Sequence, residues 1–343
     1  MDELWKKIER GQFSPLYLLY GTEDYLIQET KNKLIGHALA PEEMDFNYAS
    51  YDLEETPVET VVEDAETFPF MGERRIVIAH HPYFLTAEKP KQKVEHQLDK
   101  LEAYVKMPAP YSILVLVAPY EKLDERKKLV KLLKKQATVG EAKKLNEREL
   151  KEWLVGRAGG EGCRIGKEAA ELLISLAGTD MSALANEMMK LCLYAGKGNE
   201  ISLDMVAALT ARSLEQNVFE LVEKVVQRKI DEALRIYYDL LKLNEEPIKI
   251  LALISGQFRL IYQTKELAKR GYGQQQIASY LKVHPYRLKL AAGQAKLFTQ
   301  EELNQIMSLL ADSDYEMKSS GLKKEMIIEM FLFKLHGMKA GTK

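Results

Sequence analysis

Ser112-Ile113-Leu114-Val115-Leu116-Val117 is the most apolar strand-like run in the chain. It carries no charge and is β-branched at Ile113, Val115 and Val117, the pattern of a strand buried on both faces. Pro108 and Pro110 stand before it and stop a helix bearing Leu98, Leu101, Tyr104 and Val105, since proline lacks the donor a helix interior needs. Working outward, strands are expected at Pro15–Tyr20, Phe46–Tyr51, Arg75–Ala79 and, last and shortest, Ala137–Gly140. A short helix with Leu4, Trp5 and Ile8 precedes the first of them and ends at Gly11. Helical spacing fills the intervals: Tyr25, Leu26 and Leu34; Val58, Val61, Val62 and Ala65; and a basic helix from Arg126 to Lys135 with Leu129, Leu132 and Leu133 on one face. Near-continuous apolar strands separated by helices predict a parallel sheet covered on both sides.

After Gly140 the strands are expected to stop. Asn146 and Glu149 form a capping-box pattern ahead of Leu150, Trp153 and Leu154, in a helix broken at Gly159-Gly160. A helix with Leu172, Leu173 and Leu176 closes at Gly178; Asp180 caps a third with Leu184, Met188 and Leu191, and Ser202 a fourth. From Arg212 onward the pattern is helical throughout, with Pro247 opening a helix to Lys269 and further helices at 274–281, 285–297, 300–318 and 323–337. The expected fold class is α/β plus all-α: a parallel-sheet domain over 1–141, a small helical domain over 142–211 and a larger helical domain over 212–343.

Composition bounds the function. The 343 residues are 46% hydrophobic and 29% charged with net charge -2, an ordinary globular balance. There is no global attraction to nucleic acid, so any such contact needs a local basic patch. Cys163 and Cys192 stand alone in sequence and read as reduced, buried thiols of a cytoplasmic protein. The six histidines do not fall at metal-ligand spacing; the adjacent pair His80-His81 points apart. No apolar run approaches the ~18 residues of a membrane span, and the acidic start Met1-Asp2-Glu3-Leu4 is not a signal-peptide pattern. No membrane partner is expected.

Catalytic signatures are absent from the expected places. After the first strand a P-loop would place glycines around phosphates, a lysine against their charge and a hydroxyl on magnesium. Gly21-Thr22-Glu23-Asp24-Tyr25-Leu26-Ile27-Gln28 has no second glycine, no lysine and no following hydroxyl, and it puts two carboxylates where phosphate would sit. Ala118-Pro119-Tyr120-Glu121 offers no metal-holding acid, Glu54-Glu55 and Glu245-Glu246 are solvated pairs, and no nucleophile motif occurs. The chain is expected to be no enzyme by itself, with no cofactor or metal of its own.

The unusual feature is Phe68-Pro69-Phe70-Met71-Gly72-Glu73-Arg74-Arg75. Proline ends the preceding helix, yet the end carries two aromatics and a methionine. They fit two readings: side chains folded back as core, or an apolar tip projecting into another protein, with Glu73-Arg74-Arg75 as its polar rim.

These stretches resemble the delta subunits of bacterial DNA polymerase III, members of the AAA+ clamp-loader family. Leu16–Leu26 resembles the family's opening strand and degenerate nucleotide loop, and Phe68–Arg75 its clamp-contacting tip. Gly178-Thr179-Asp180 with Leu184, Glu187, Lys190 and Leu191 resembles the lid signature. Val218-Phe219-Glu220-Leu221, Gln257-Phe258-Arg259, His284-Pro285-Tyr286 and Asp314 with Lys318 resemble the collar. The motifs agree in order along nearly the whole chain. The resemblance implies an AAA+ type α/β domain without a P-loop (1–141), a helical lid (142–211) and a helical collar for oligomerisation (212–343). It implies a non-ATPase subunit of the DNA polymerase III holoenzyme, a nucleotidyltransferase complex, that binds and opens the β sliding clamp for loading onto primed DNA. It implies as partners the clamp, the tau/gamma and delta prime subunits, and primer-template DNA through the assembly, with ATP and Mg bound by partner subunits only. Clamp binding falls to Phe68, Pro69, Phe70 and Met71. Some members carry leucine where this chain has Pro69, which leaves open which of the four inserts. Collar assembly is expected through faces bearing Leu221, Phe258 and Leu260.

A different class competes. Gln274–Arg287 resembles a helix-turn-helix framed by Ile277, Ala278, Leu281 and Val283. Between Gln263 and Lys296 stand seven basic residues and one acidic one. The alternative is therefore a helix-turn-helix DNA-binding protein using residues 274–297. Lys265, Lys269, Arg270, Lys282, Arg287 and Lys289 are the candidate DNA contacts, whether to bases or to phosphates alone.

Overall fold

The structure, a computed structural model, describes residues 1–70, 72–87, 94–227 and 229–337. The chain divides into two compact units, Met1–Lys144 and Leu145–Lys343.

The first unit is built on five parallel strands: β1 Leu16–Gly21, β2 Tyr48–Asp52, β3 Arg75–His80, β4 Ser112–Ala118 and β5 Thr138–Ala142, in the order β2-β3-β4-β1-β5. The apolar run from Ser112 lies at the middle of the sheet, and every residue of β4 is buried. Leu18 stands opposite Leu116 on β4, and Val115 opposite Ile78 on β3. One face packs beneath Val58, Val61, Val62 and Ala65 of the Val58–Ala65 helix, Leu101, Tyr104 and Val105 of Leu98–Lys106, and Leu129, Val130 and Leu133 of Lys128–Gln136. The edge strands are more polar, β2 being at best half-buried and β5 alternating.

Two expectations fail locally. Phe46 is not in β2: residues Met44–Asn47 form a helical turn. The Phe46 carbonyl accepts from the Arg75 guanidinium at 2.8 Å, so a side chain takes a bond a strand would have used. The basic helix starts at Lys128, because Arg126 is bent back onto Asp124, with its backbone N–H and guanidinium both donating to that carboxylate.

The second unit is helical except for a parallel pair, β6 Arg164–Ile165 with β7 Glu200–Ile201, which corrects the expectation that strands stop after Gly140. Two-residue strands are too short to show a period. The caps fall where expected. Asn146 accepts from the N–H groups of Arg148 and Glu149, Asp180 from Ala183 and Ser202 from Met205. Gly178, at φ +87°, closes Lys167–Ala177. The first helix, Glu147–Gly160, ends at the second of the two glycines expected to break it, and the chain turns at Gly162, at φ +78°. The 23-residue helix Pro247–Lys269 is the axis of the larger core, burying Ile250, Ile254, Phe258 and Ile261 among Leu221, Tyr237, Leu288, Ile306 and Phe331. Leu221, Phe258 and Leu260, expected on assembly faces, are therefore core residues.

The cysteines are neighbours rather than solitary. The Cys163 thiol donates to the Cys192 and Gly196 carbonyls at 3.6 and 3.4 Å, and burial with the Cys163 contact pushes the Cys192 thiol up to about 12. Among the described residues no helix is long and apolar enough to cross a membrane.

Candidate functional site

The Val58–Ala65 helix ends at Glu66, and the chain then extends outward. Phe68 and Phe70 are 72% and 73% exposed, against the burial a core reading requires, and Pro69 is half-buried. Met71 lies outside the described residues. Each exposed ring rests on another from elsewhere in the chain. Phe68 stacks on Tyr111 with centroids 4.3 Å apart, and the Tyr111 hydroxyl donates to the Glu66 carbonyl at 2.8 Å. Phe70 lies 5.3 Å from Phe46. Its N–H donates to Oδ1 of the fully buried Asn47 at 2.9 Å.

Polar groups fix the base of the tip. Arg75 pairs with Asp64, which also accepts from the Tyr51 hydroxyl at 3.0 Å. Arg75 is thus turned inward and is not part of a rim. Arg74 covers the Phe13 ring at 5.0 Å, and Glu73 is exposed. Gly72 has φ +75°, a turn that favours glycine, and a Cβ there would meet the Glu43 carboxylate at 1.9 Å, which the end of that flexible side chain would have to yield.

The loop after β1 is closed against its neighbour. Gly21, at φ +131°, would place a Cβ 2.1 Å from the Ala142 carbonyl oxygen, and Glu23 N–H donates to that same oxygen at 2.9 Å. An N–H group that could face a phosphate at the start of the Asp24–Ala38 helix is thereby occupied, with Glu23 and Asp24 supplying repulsive charge. At the ends of β2 and β3, His81 Nδ1 lies 2.9 Å from Asp52. Burial, with Lys31 and His81 adding repulsion, holds His80 below its ordinary 6.5. Among the described residues no group of three His, Cys, Asp or Glu side chains is placed to hold a metal.

The six basic candidates divide. Lys265 donates to the Ala295 carbonyl at 3.1 Å, Arg287 pairs with Glu215 at 3.1 Å and Lys289 with Glu147 at 3.3 Å. Lys269, Arg270 and Lys282 are exposed; Lys282 ends the Gln274–Leu281 helix at φ +54°. His284 opens the next helix: its Nδ1 accepts from Tyr286 N–H at 3.1 Å, which leaves Nε2 as the protonated nitrogen that donates to the Leu145 carbonyl. Ile277 and Ala278 are buried, with Leu281 and Val283 packed against the same core.

The family described as "DNA polymerase III, delta subunit" matches residues 17–143, and "DNA polymerase III delta subunit, C-terminal domain" matches 215–335. The chain belongs to the DNA polymerase III delta subunit family. It is 55% identical over 333 residues to the DNA polymerase III subunit delta of Bacillus subtilis, covering 97% of this chain and 96% of that one. The probable delta subunit of Aquifex aeolicus is 25% identical over 260 residues, 75% and 72% of the two chains. The solved structure of the Bacillus subtilis DNA clamp loader delta protein superposes with a TM-score of 0.86 at 54% identity, over 98% and 99% of the chains. The mixed fold of a parallel sheet and many helices is thus that of a delta-family protein.

In this delta-family chain the sequence singles out Phe68 and Phe70 but not Phe46, Asn47 and Tyr111, which the fold places beside them. Phe46 and Asn47 were hidden by the strand expected over Phe46–Tyr51. Tyr111 had no local signal beyond its place between Pro110 and β4.

Proposed function

We propose that this delta-family chain is the clamp-binding, non-ATPase subunit of a DNA polymerase III clamp loader in the cytoplasm. Its partners are the β sliding clamp, the ATP-binding tau/gamma subunits and delta prime, and primer-template DNA reached through the assembly. Residues 1–141 serve as an AAA+ type domain, 142–211 as a lid and 212–343 as an oligomerisation collar. ATP and Mg belong to the partners. Lys265, Lys269, Arg270, Lys282, Arg287 and Lys289 are the DNA-facing candidates, with Lys269, Arg270 and Lys282 the more available three.

The observation that carries the reading is the exposure of Phe68 and Phe70 on a tied-down tip. Burying one such ring in a clamp pocket contributes about 1.5–3 kcal/mol. Insertion opens a ring if it binds the open state better than the closed one, since a ligand shifts an equilibrium only by that difference. Phe68, Pro69, Phe70 and Met71 remain the clamp-binding set, with Phe70 as the anchor. Phe70→Ala is expected to leave the melting temperature nearly unchanged and to weaken clamp binding by about 2 kcal/mol, some thirtyfold. A core phenylalanine would instead lose about 3–5 kcal/mol of stability. A stable variant with parental affinity would move the clamp site elsewhere.

A further inference from the structure

The candidates for clamp binding come from one stretch, 68–71, but the folded surface around them draws on three. Phe46, in the Met44–Asn47 turn, is 52% exposed and faces the Phe70 ring at 5.3 Å. Tyr111 underlies Phe68 at 4.3 Å. The two segments that carry the Phe46–Phe70 pair are joined by a hydrogen bond from Phe70 N–H to Asn47 Oδ1. Asn47 has no exposed surface, and a buried amide is unfavourable unless it is hydrogen-bonded. Arg75 fixes the other side, donating to the Phe46 carbonyl at 2.8 Å while it pairs with Asp64. Two aromatic rings in water would ordinarily be ordered only on binding, at a cost in affinity; here the backbone under both is held beforehand.

We infer that the clamp-facing surface includes Phe46 as a second contact residue, and that Asn47 is a positioning residue that sets Phe70 beside it. The inference rests on the tip reading. The matching partner surface is an apolar pocket wide enough for two tilted rings rather than a slot for one.

The test uses the full chain and its cognate sliding clamp. Affinity and thermal melting are measured for Phe46→Ala, Asn47→Ala, Phe70→Ala and the Asn47→Ala/Phe70→Ala double variant. Phe46→Ala should bind about tenfold more weakly at an unchanged melting temperature. Asn47→Ala should bind about fivefold more weakly. It should add little in the Phe70→Ala background, because a residue acting through another is not additive with it. If Phe70→Ala binds like the parent, the tip reading fails and this inference with it. If Phe70→Ala is weak while Phe46→Ala binds like the parent, the inference fails and the tip reading stands. The positioning role of Asn47 likewise fails, with the tip reading intact, if Asn47→Ala loses its full factor on top of Phe70→Ala. Should Asn47→Ala fold poorly, Phe46→Ala decides, since its exposed ring can be removed without opening the core.

Discussion

Arg75 shows how one residue can serve fold and surface together. It begins β3, neutralises Asp64 and holds the Phe46 carbonyl, with its side chain only 13% exposed. Arg75→Met would leave the Asp64 carboxylate largely buried without its cation. The expected loss is about 2–4 kcal/mol, below or within the range for breaking a fully buried pair, read as a lower urea midpoint. His80 belongs to the same scale but acts through pH. Its folded pKa lies below the ordinary 6.5, chiefly from burial and then from Lys31 and His81, against an opposing attraction from Asp52. The unfolded chain therefore binds the proton more readily, and stability rises with pH across this titration. The contribution is complete above 6.5 and is lost as pH falls below it towards the folded pKa. Stability measured from pH 7.5 to 5 should fall for the parent and fall less steeply for His80→Asn; equal slopes would assign the dependence to other groups.

At the scale of the element, the β1 loop and the following helix give the clearest expectation. The Ala142 carbonyl holds Glu23 N–H, and the first helical turn opens on Asp24. Calorimetry with Mg·ATP on the isolated chain should register no binding heat, whereas a micromolar dissociation constant would overturn the reading of this loop. Elements with a long, regular pattern were legible before folding. Pro247–Lys269 and Gln274–Leu281 match their expected ranges, because an apolar stripe repeated over several turns outweighs local noise. Elements decided by a single distant partner were not. The start of β2 depends on Arg75, nearly thirty residues on, and the β6–β7 pair joins residues 164–165 to 200–201. Neither partner leaves a mark on its own neighbourhood.

For the whole molecule, each unit contains its own hydrophobic core. Fragments 1–144 and 145–343 should each show a cooperative thermal transition, since a domain with its own core can fold alone. A fragment that melts without cooperativity would show that its core is completed by the other. Leu221→Ala should act through stability, lowering the melting temperature of the 145–343 fragment, because Leu221 is fully buried. The sequence by itself determined that a parallel sheet forms and roughly where its five strands lie, the helices along the larger core, the caps at Asn146, Asp180 and Ser202, the lack of a P-loop and the oddity of Phe68 and Phe70. Those properties follow from local spacing, from side-chain chemistry and from which residues a backbone conformation tolerates. Only the tertiary structure decided that the two phenylalanines are exposed, that Phe46, Asn47 and Tyr111 join them, that Arg75 turns inward and that Cys163 meets Cys192. Each of these depends on residues far apart in the chain, and exposure is a property of what fails to cover a side chain, which no stretch of sequence contains.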